Sequence, residues 1–203
     1  RRYRFRVLNG CQARFLTLDF NSVQGVEVWQ IGNEGGFLAE PVNLTTRTGG
    51  RLLMGPAERA DLIVDFTAVP NGNYVLRNLG PDEPFGGGQP DEDFTPADPD
   101  STGQVIQFRV QARRGLDLTT PPRFLRLPTI DPLPAATVCR PLALLEEMSM
   151  HFDDAPAEAV LGTVVGDPNT EPGTWVKRMW SEQITENPAV GTTEVWEFYN
   201  ATA

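Results

Sequence analysis

The apolar positions of the chain recur with the period of β-strands, in short runs separated by glycine, proline and asparagine. Alternation of apolar and polar residues places every second side chain on one face of a strand, and helical spacing is nearly absent. Runs of this length and spacing are typical of a β-sandwich or a β-barrel. The pattern predicts strands at 3–7, 15–20, 26–31, 51–54, 60–66, 74–78 and 104–110.

A proline-rich stretch separates these runs from a second set. Prolines at positions 121, 122, 128, 132 and 134 exclude a continuous helix or a central strand there. Strand-like runs then resume at 142–145, 148–152, 175–177 and 193–199. The sequence therefore predicts a β-domain at 1–112, an extended linker at 113–141 and part of a second β-domain at 142–203.

Two segments of the chain share one pattern. Residues 3–10 (YRFRVLNG) and 194–201 (EVWEFYNA) both alternate aromatic and apolar positions and end on asparagine followed by a small residue. This repeat predicts two copies of one β-domain, the second of them incomplete. The chain also begins inside a strand pattern without an initiator methionine, which we interpret as a piece of a longer protein.

Composition narrows the classes of partner. The 27 acidic and 17 basic residues give a net charge of −10, which disfavours binding to nucleic acid or to anionic lipid. No apolar run approaches the roughly 18 residues that span a bilayer, and no signal-peptide pattern opens the chain. We therefore predict neither a nucleic-acid partner nor membrane insertion.

Metal-binding and redox residues are few. Cys11 and Cys139 form no zinc-type pair, and two buried free thiols are favoured over a disulfide between them. Met148, Met150 and His151 fall in one strand-like segment, where alternation places the histidine on the opposite face from the methionines. A copper site needs several converging imidazole or thiolate ligands, so packing is favoured over metal binding here.

Other catalytic patterns are no stronger. His151 has no partner pattern for nucleophilic catalysis, and the acidic pairs around 91–93 and 146–147 are typical of solvated faces. Glu58 and Arg59 are interpreted as a charged pair that anchors the turn before a buried strand. The glycine run 86–88 lacks the lysine and the strand-to-helix context of a phosphate loop.

Several longer strings carry a family resemblance. They are RYRFRVLNG at 2–10, IGNEGGFL at 31–38, MGPAERADLIVDFT at 54–67, TGQVIQFRV at 102–110 and ITENPAVGTTEVWEFYNATA at 184–203. In this order and at these spacings they resemble the middle domain and the beginning of the last domain of three-domain multicopper oxidases. The bacterial spore-coat laccases, bilirubin oxidases and phenoxazinone synthases are the branch that they resemble most.

The resemblance implies a fold and a cofactor arrangement. The fold would be a cupredoxin-like Greek-key β-sandwich, with one nearly complete domain and one incomplete domain. Copper in this family is bound by histidine-rich motifs of the first and third domains, so this segment is expected to bind none. A His-Pro-x-His-x-His motif would be expected a few residues after Thr202.

The resemblance also implies an activity for the parent protein. Laccase-like oxidases take single electrons from phenols, aromatic amines, pigments or metal ions and reduce dioxygen to water. The chain itself would be an inactive scaffold between domains and part of the wall of the substrate pocket. The alternative is a non-catalytic β-sandwich that acts as a structural or binding module from a truncated gene.

The acidic, glycine-rich loop between 78 and 102 is the best candidate for contact with substrate, although a disordered tip is an equal alternative. Glycines let the backbone approach a flat aromatic substrate, and an aromatic side chain could stack on it. By resemblance, the end of the chain borders the same pocket. The candidate residues are Phe85, Gly86, Gly87, Gly88, Thr202 and Ala203.

The partners and the location follow from the same resemblance. The expected partners are the remaining domains of the same oxidase or another copy of the chain, with a small aromatic substrate in the parent. The family is commonly exported or placed on a cell or spore envelope, but these residues contain no recognisable targeting signal.

Overall fold

The computed structural model describes residues 1–112, 114–152, 155–166 and 175–202. No helix in these ranges is long and apolar enough to cross a bilayer. The elements are β1 (Arg2–Leu8), β2 (Leu16–Asp19), a 3-10 helix (Phe20–Ser22), β3 (Glu27–Asn33), β4 (Gly36–Asn43), α1 (Leu44–Arg47), β5 (Arg51–Met54), β6 (Arg59–Asp65), β7 (Gly72–Asn78), β8 (Gln104–Val110), a 3-10 helix (Pro122–Phe124), β9 (Val138–Met148), β10 (Pro156–Val164), β11 (Trp175–Arg178) and β12 (Glu194–Ala201).

The chain divides into two compact units, Arg1–Ile130 and Asp131–Ala203. Unit 1 contains a first sheet in the order β1-β6-β3-β4 and a second sheet in the order β5-β2-β7-β8, both antiparallel. Unit 2 contains a third sheet in the order β11-β10-β9-β12, in which β12 pairs with β9 in parallel. The predicted all-β class is confirmed.

Unit 1 is a sandwich because alternate residues of both sheets point to one shared core. The strands of the first sheet contribute Val28, Leu62 and Val64, each no more than 1% exposed. Leu18 and Met54 of the second sheet are equally buried. Burying an aliphatic side chain of this size contributes roughly 1.5–3 kcal/mol, so these positions hold the two sheets together.

Aromatic side chains close one end of this core. The ring of Phe108 in β8 lies 5.9 Å from Phe5 in β1 and 5.0 Å from Phe66, both in edge-to-face geometry. Because β8 belongs to the second sheet and β1 to the first, these contacts join the two layers. Edge-to-face pairs contribute about 0.5–1.5 kcal/mol beyond their buried area.

The two strongest sequence motifs of unit 1 meet in a hydrogen-bonded corner. The fully buried Asn9 donates through Nδ2 to the carbonyl oxygens of Arg14 and Met54, at 2.9 and 3.0 Å. Its backbone N–H donates to the carbonyl of Glu58 at 3.0 Å. The asparagine of RVLNG and the turn of GPAER therefore satisfy each other's polar groups, as buried polar atoms require.

Glu58 and Arg59 do anchor this turn, but they do not form the pair that the sequence predicted. The Glu58 carboxylate accepts the backbone N–H of Gly55 at 2.8 Å. Arg59 instead pairs with Glu34 of the adjacent hairpin at 2.8 Å. Glu58 lies in the turn before β6 and accepts from the first residue of that turn, whereas Arg59 is the first residue of β6 and reaches the adjacent β3–β4 hairpin.

The third sheet differs from the sequence reading in two places. β10 was not predicted, and the two predicted runs 142–145 and 148–152 are replaced by one strand, β9, that ends at Met148. The last four residues of the range 113–141 lie in β9. Pro141 pairs with Glu197 of β12 but lies outside the β9–β10 ladder, which begins at Leu142, so its missing N–H costs that ladder no hydrogen bond.

Candidate functional site

The loop between β7 and β8 is fixed at its base by a buried asparagine. The side-chain oxygen of Asn78, which is 1% exposed, accepts the backbone N–H groups of Thr17 and Gly80, each at 2.9 Å. The N–H of Ala97 on the returning segment donates to the Gly80 carbonyl at 2.9 Å. The two ends of the loop are therefore tied to each other and to β2.

Polar contacts hold the flanks of this loop. Arg14 pairs with Asp82 at 2.8 Å, and the hydroxyl of Thr102 donates to the other oxygen of the same carboxylate at 2.6 Å. Asp98 accepts the N–H of Asp100 and the hydroxyl of Ser101, each at 2.9 Å, and these hydrogen bonds lower the pKa of Asp98. The loop is thus closed by charge-assisted hydrogen bonds as well as by backbone contacts.

Phe85 is the centre of a small aromatic cluster in the loop. Its ring centroid lies 5.2 Å from that of Phe15 and 5.5 Å from that of Phe94. The side chain is half-buried, so part of its surface is taken up by these two rings. These ring contacts fix the position of the backbone that leads into the glycine run 86–88.

The glycines after Phe85 fall into two kinds. Gly88 has a φ of +92°, and a Cβ atom there would lie 2.4 Å from the side chain of Asp93, so only glycine fits. Asp93 in turn accepts the N–H of Gln89 at 2.6 Å, which closes a tight turn. A Cβ atom added at Gly86 or Gly87 would meet no atom within 4 Å. Their backbone has free space around it, with Gly86 exposed and Gly87 partly exposed.

The remaining site candidates lie at the end of unit 2. Thr202 is exposed, and its N–H and hydroxyl donate to the side-chain oxygen of Asn200 at 3.2 and 2.8 Å. Asn9 accepts the N–H of Cys11 in the same i to i+2 geometry, so the two repeats share this turn. Ala203 lies outside the described residues. The common pocket of Phe85–Gly88 with the chain end stays a prediction.

The thiols and the histidine differ from their predicted surroundings. Cys11 is half-buried and Cys139 is exposed on β9, both as free thiols, so the expectation of two buried thiols is wrong. Desolvation and the nearby Glu197 carboxylate raise the pKa of Cys139. His151 is exposed in the turn after β9 instead of within a strand, and its N–H donates to the Ser149 hydroxyl at 3.1 Å.

The described residues offer no donor set that fits copper. In those ranges no three His, Cys, Asp or Glu side chains come together in a way that could hold a metal ion. The whole chain has one histidine, whereas copper centres combine several imidazole and sulfur ligands.

Unit 2 presents a broad apolar groove on one face of the third sheet, with a cavity volume of about 1050 Å³. Leu161 of β10 and Phe198 of β12 are 64% and 60% exposed in its floor, and Trp180 lies fully exposed at its side. Sequence reasoning missed this surface because it did not identify β10. The apolar run AVLGTVV at 159–165 was the available signal.

Comparison with known proteins gives a consistent result. No protein-family model matches the chain. A laccase from Bacillus stratosphericus is 30% identical over 203 residues, which is 100% of this chain and 33% of the laccase. Multicopper oxidase LPR1 from Arabidopsis thaliana is 29% identical over 203 residues, 100% of this chain and 29% of that protein. The chain thus spans about one third of the length of these curated relatives.

Solved structures agree at the level of the fold. The 2F4 variant of the McoA multicopper oxidase from Aquifex aeolicus has a TM-score of 0.51 and 27% identity, covering 72% of this chain and 29% of that chain. A multicopper oxidase from Campylobacter jejuni has a TM-score of 0.55 and 18% identity over 98% of this chain and 37% of that chain. The chain is therefore a relative of the multicopper oxidases, laccases among them, with their cupredoxin-like β-sandwich fold.

Proposed function

We propose that the chain is a copper-free segment of a laccase-like multicopper oxidase, in which it separates the copper-bearing domains and forms part of the substrate-pocket wall. One observation carries this proposal. Relatives named laccase and multicopper oxidase match the whole chain, yet the chain contains a single histidine. A segment that shares ancestry with a copper oxidase but lacks ligands must depend on ligands supplied elsewhere.

The catalytic role belongs to the parent protein in this proposal. Copper supplies the one-electron chemistry that would oxidise phenols, aromatic amines, pigments or metal ions while dioxygen is reduced to water. Because the described residues of this chain do not form a set of copper ligands, no step of that reaction is assigned to them. The chain alone is proposed to be inactive.

What the chain's own residues contribute is shape. The accessible backbone of Gly86 and Gly87 allows close approach of a flat substrate, and the cluster around Phe85 holds that backbone in place. A rigid scaffold that presents a loop is the usual way in which binding surfaces are built. Phe85–Gly88 are the proposed pocket wall, and Thr202 and Ala203 remain candidates from the sequence resemblance alone.

The proposed partners are the remaining domains of the same oxidase or another copy of the chain. The apolar groove of unit 2 supports this proposal, because an exposed apolar surface of this kind marks a protein interface. The residues that line the groove floor come from β9, β10 and β12.

Metal analysis tests whether the chain is copper-free. Purified chain is loaded with excess Cu(II), dialysed, and measured for copper content, blue-copper absorption and phenol oxidation. We expect far less than one tightly bound copper per chain, no blue band and no oxidation. His151→Ala is the matched variant, because exposed histidine is the main source of adventitious copper binding. One tightly held copper that survives in His151→Ala would contradict the proposal.

The coding region tests the parent oxidase separately. We expect a His-Pro-x-His-x-His motif soon after the codon for Ala203 and a later Cys-containing histidine motif. A reading frame without either motif would contradict the oxidase and favour a non-catalytic β-sandwich module. The hydrophobic core of unit 1, built from side chains of both its sheets, is the observation consistent with that second candidate.

A further inference from the structure

A second concave site lies in unit 1, away from the loop between β7 and β8. It is a cavity of about 420 Å³ on the outer face of the first sheet, between β1, the start of β6 and the β3–β4 hairpin. Three arginines, Arg4, Arg6 and Arg59, line it together with Asp61 and Glu34. Most pockets for small ligands fall between about 300 and 1,000 Å³. We refer to this cavity as the Arg6 pocket.

The charges of the Arg6 pocket are unevenly paired. Arg6 lies directly opposite Asp61 in the β1–β6 ladder. Arg4, two residues earlier on the same face, takes both carboxylate oxygens of Asp61, with Nε to Oδ1 at 2.8 Å and a second contact to Oδ2. These hydrogen bonds are the main cause of the lowered pKa of Asp61, and the charge of Arg6 adds to it.

Arg6 is left without a direct partner as a result. Across the described ranges its guanidinium has no hydrogen bond and no ion pair. Glu34, the other acid of the pocket, is held by Arg59 at 2.8 Å. One of the three positive charges is therefore unmatched, in a chain whose net charge is −10. A guanidinium presents five N–H donors in a planar fork that matches a carboxylate.

The wall beside Arg6 is apolar and open. Phe37 is 41% exposed and Leu8 is 60% exposed, and both line the cavity. The guanidinium of Arg4 lies 5.6 Å above the Phe37 ring, which holds one face of the ring in place. A Cβ atom added at Gly35 or Gly36 would meet no atom within 4 Å, so the β3–β4 hairpin leaves free space beside the cavity.

We propose that the Arg6 pocket binds a small aromatic carboxylate. The carboxylate accepts hydrogen bonds from the Arg6 guanidinium, and the ring packs against Phe37 and Leu8. A cation is disfavoured because Glu34 and Asp61 already have partners. A neutral aromatic compound would leave Arg6 unmatched. This site requires no copper and stands independently of the proposed oxidase function.

Calorimetric titration of the full chain with benzoate tests the proposal. We expect one weak site, and Arg6→Gln should weaken it about tenfold or more, because a charge-assisted bidentate contact is lost. Arg6→Lys keeps the charge but not the fork, so its affinity should be intermediate. Phe37→Ala should also weaken binding. Arg47→Gln, an exposed arginine in α1, is the matched control and should leave the affinity unchanged.

Two further measurements separate this site from general charge attraction. Benzamide, which has the ring but no charge, should bind about tenfold more weakly than benzoate or not at all. Cyclohexanecarboxylate should bind more weakly than benzoate, because its puckered ring cannot make the aromatic contact with Phe37. Absence of benzoate binding, equal affinity for benzamide, or an Arg6→Gln variant that binds as well as the original chain would each overturn the proposal. Circular dichroism of each variant shows whether its fold is intact.

Discussion

Gly80 lies at a point where the β7–β8 loop packs tightly against the second sheet. A Cβ at this position would lie 2.6 Å from the carbonyl oxygen of Phe15 and 3.1 Å from the N–H of Thr17. Both are backbone atoms at the start of β2, Phe15 just before the strand and Thr17 within it, so neither can rotate away. The loop can approach the second sheet this closely only because residue 80 has no side chain.

Gly80→Ala is therefore expected to destabilise unit 1 by about 1–3 kcal/mol, the usual cost of overpacking. Urea unfolding, followed by circular dichroism, measures the change. Gly86→Ala in the same loop is the control, because a Cβ there meets no atom within 4 Å and should change stability by less than about 0.5 kcal/mol. Equal effects of the two variants would contradict this account of the loop.

Glu194 provides a pH-sensitive contact in unit 2. Its carboxylate accepts two hydrogen bonds from Arg140, at 2.6 and 3.0 Å, and one from the indole N–H of Trp196 at 2.9 Å. The Arg140 contact is the main cause that lowers the pKa of Glu194 from its ordinary 4.5 to about 2. A carboxylate whose pKa is lower in the folded state stabilises the fold above its ordinary pKa.

The contribution of Glu194 should be complete above about pH 5 and should be lost as the pH falls from 4.5 towards 2. Glu194→Gln is expected to be less stable than the original chain at pH 7, and the difference should shrink in that window. Tryptophan fluorescence during urea unfolding at a series of pH values measures it. Glu40→Gln, at an exposed position of β4, is the control and should have little effect on stability. A Glu194→Gln difference that is constant from pH 7 to 2 would argue against the ion pair.

Among the elements, β6 organises unit 1. It pairs with β1 on one side and β3 on the other, and Leu62 at its centre is fully buried. Its apolar, β-branched sequence is typical of a central strand, which explains why it was predicted correctly. Truncating a buried leucine leaves a cavity that a packed core fills only in part.

Leu62→Ala is expected to lower the free energy of unfolding of unit 1 by about 2–5 kcal/mol. Chemical denaturation monitored by near-ultraviolet circular dichroism would show it as a lower midpoint. Leu116→Ala is the control, because Leu116 is 77% exposed in the same unit and its loss should be almost neutral. A similar midpoint for both variants would mean that β6 is not central to the core.

Two elements escaped prediction for different reasons. β4 contains Pro41 and lacks clean alternation, and it is an edge strand that exists through its pairing with β3. β10 contains Gly162, which weakens a strand in isolation, and its position is set by β9 and β11 on either side. Both are determined by pairing partners distant in sequence, which local pattern does not record.

At the scale of the whole molecule, the two units are unequally buried. All of the buried apolar residues found in the described ranges lie in unit 1, with the exception of Ala143. The third sheet carries large exposed side chains such as Leu161 and Phe198. A sheet whose described side chains stay largely exposed within its own unit gains little from burial, so unit 2 is expected to be the less stable unit.

The isolated chain is therefore expected to self-associate as its concentration rises. If it does not, the strands of unit 2 are expected to fray. Sedimentation velocity over a range of concentrations measures association, and amide exchange should be faster in unit 2 than in unit 1. Leu161→Lys with Phe198→Lys should reduce association, because the charges disrupt the apolar groove. Leu133→Lys, at an exposed position outside the sheet, should not. A protease-resistant monomer at every concentration would contradict this expectation.

The sequence by itself determined the β-class, most strands of unit 1, the scarcity of copper ligands and the relationship to multicopper oxidases. Those features depend on alternation, composition and motif order, which are local properties. Tertiary structure alone decided that Glu58 and Arg59 bind different partners, that Phe85 packs between two other rings, and that Arg6 stays unmatched while Arg4 binds Asp61. These outcomes depend on which side chains lie within contact distance of one another. Only strand register and packing fix those distances.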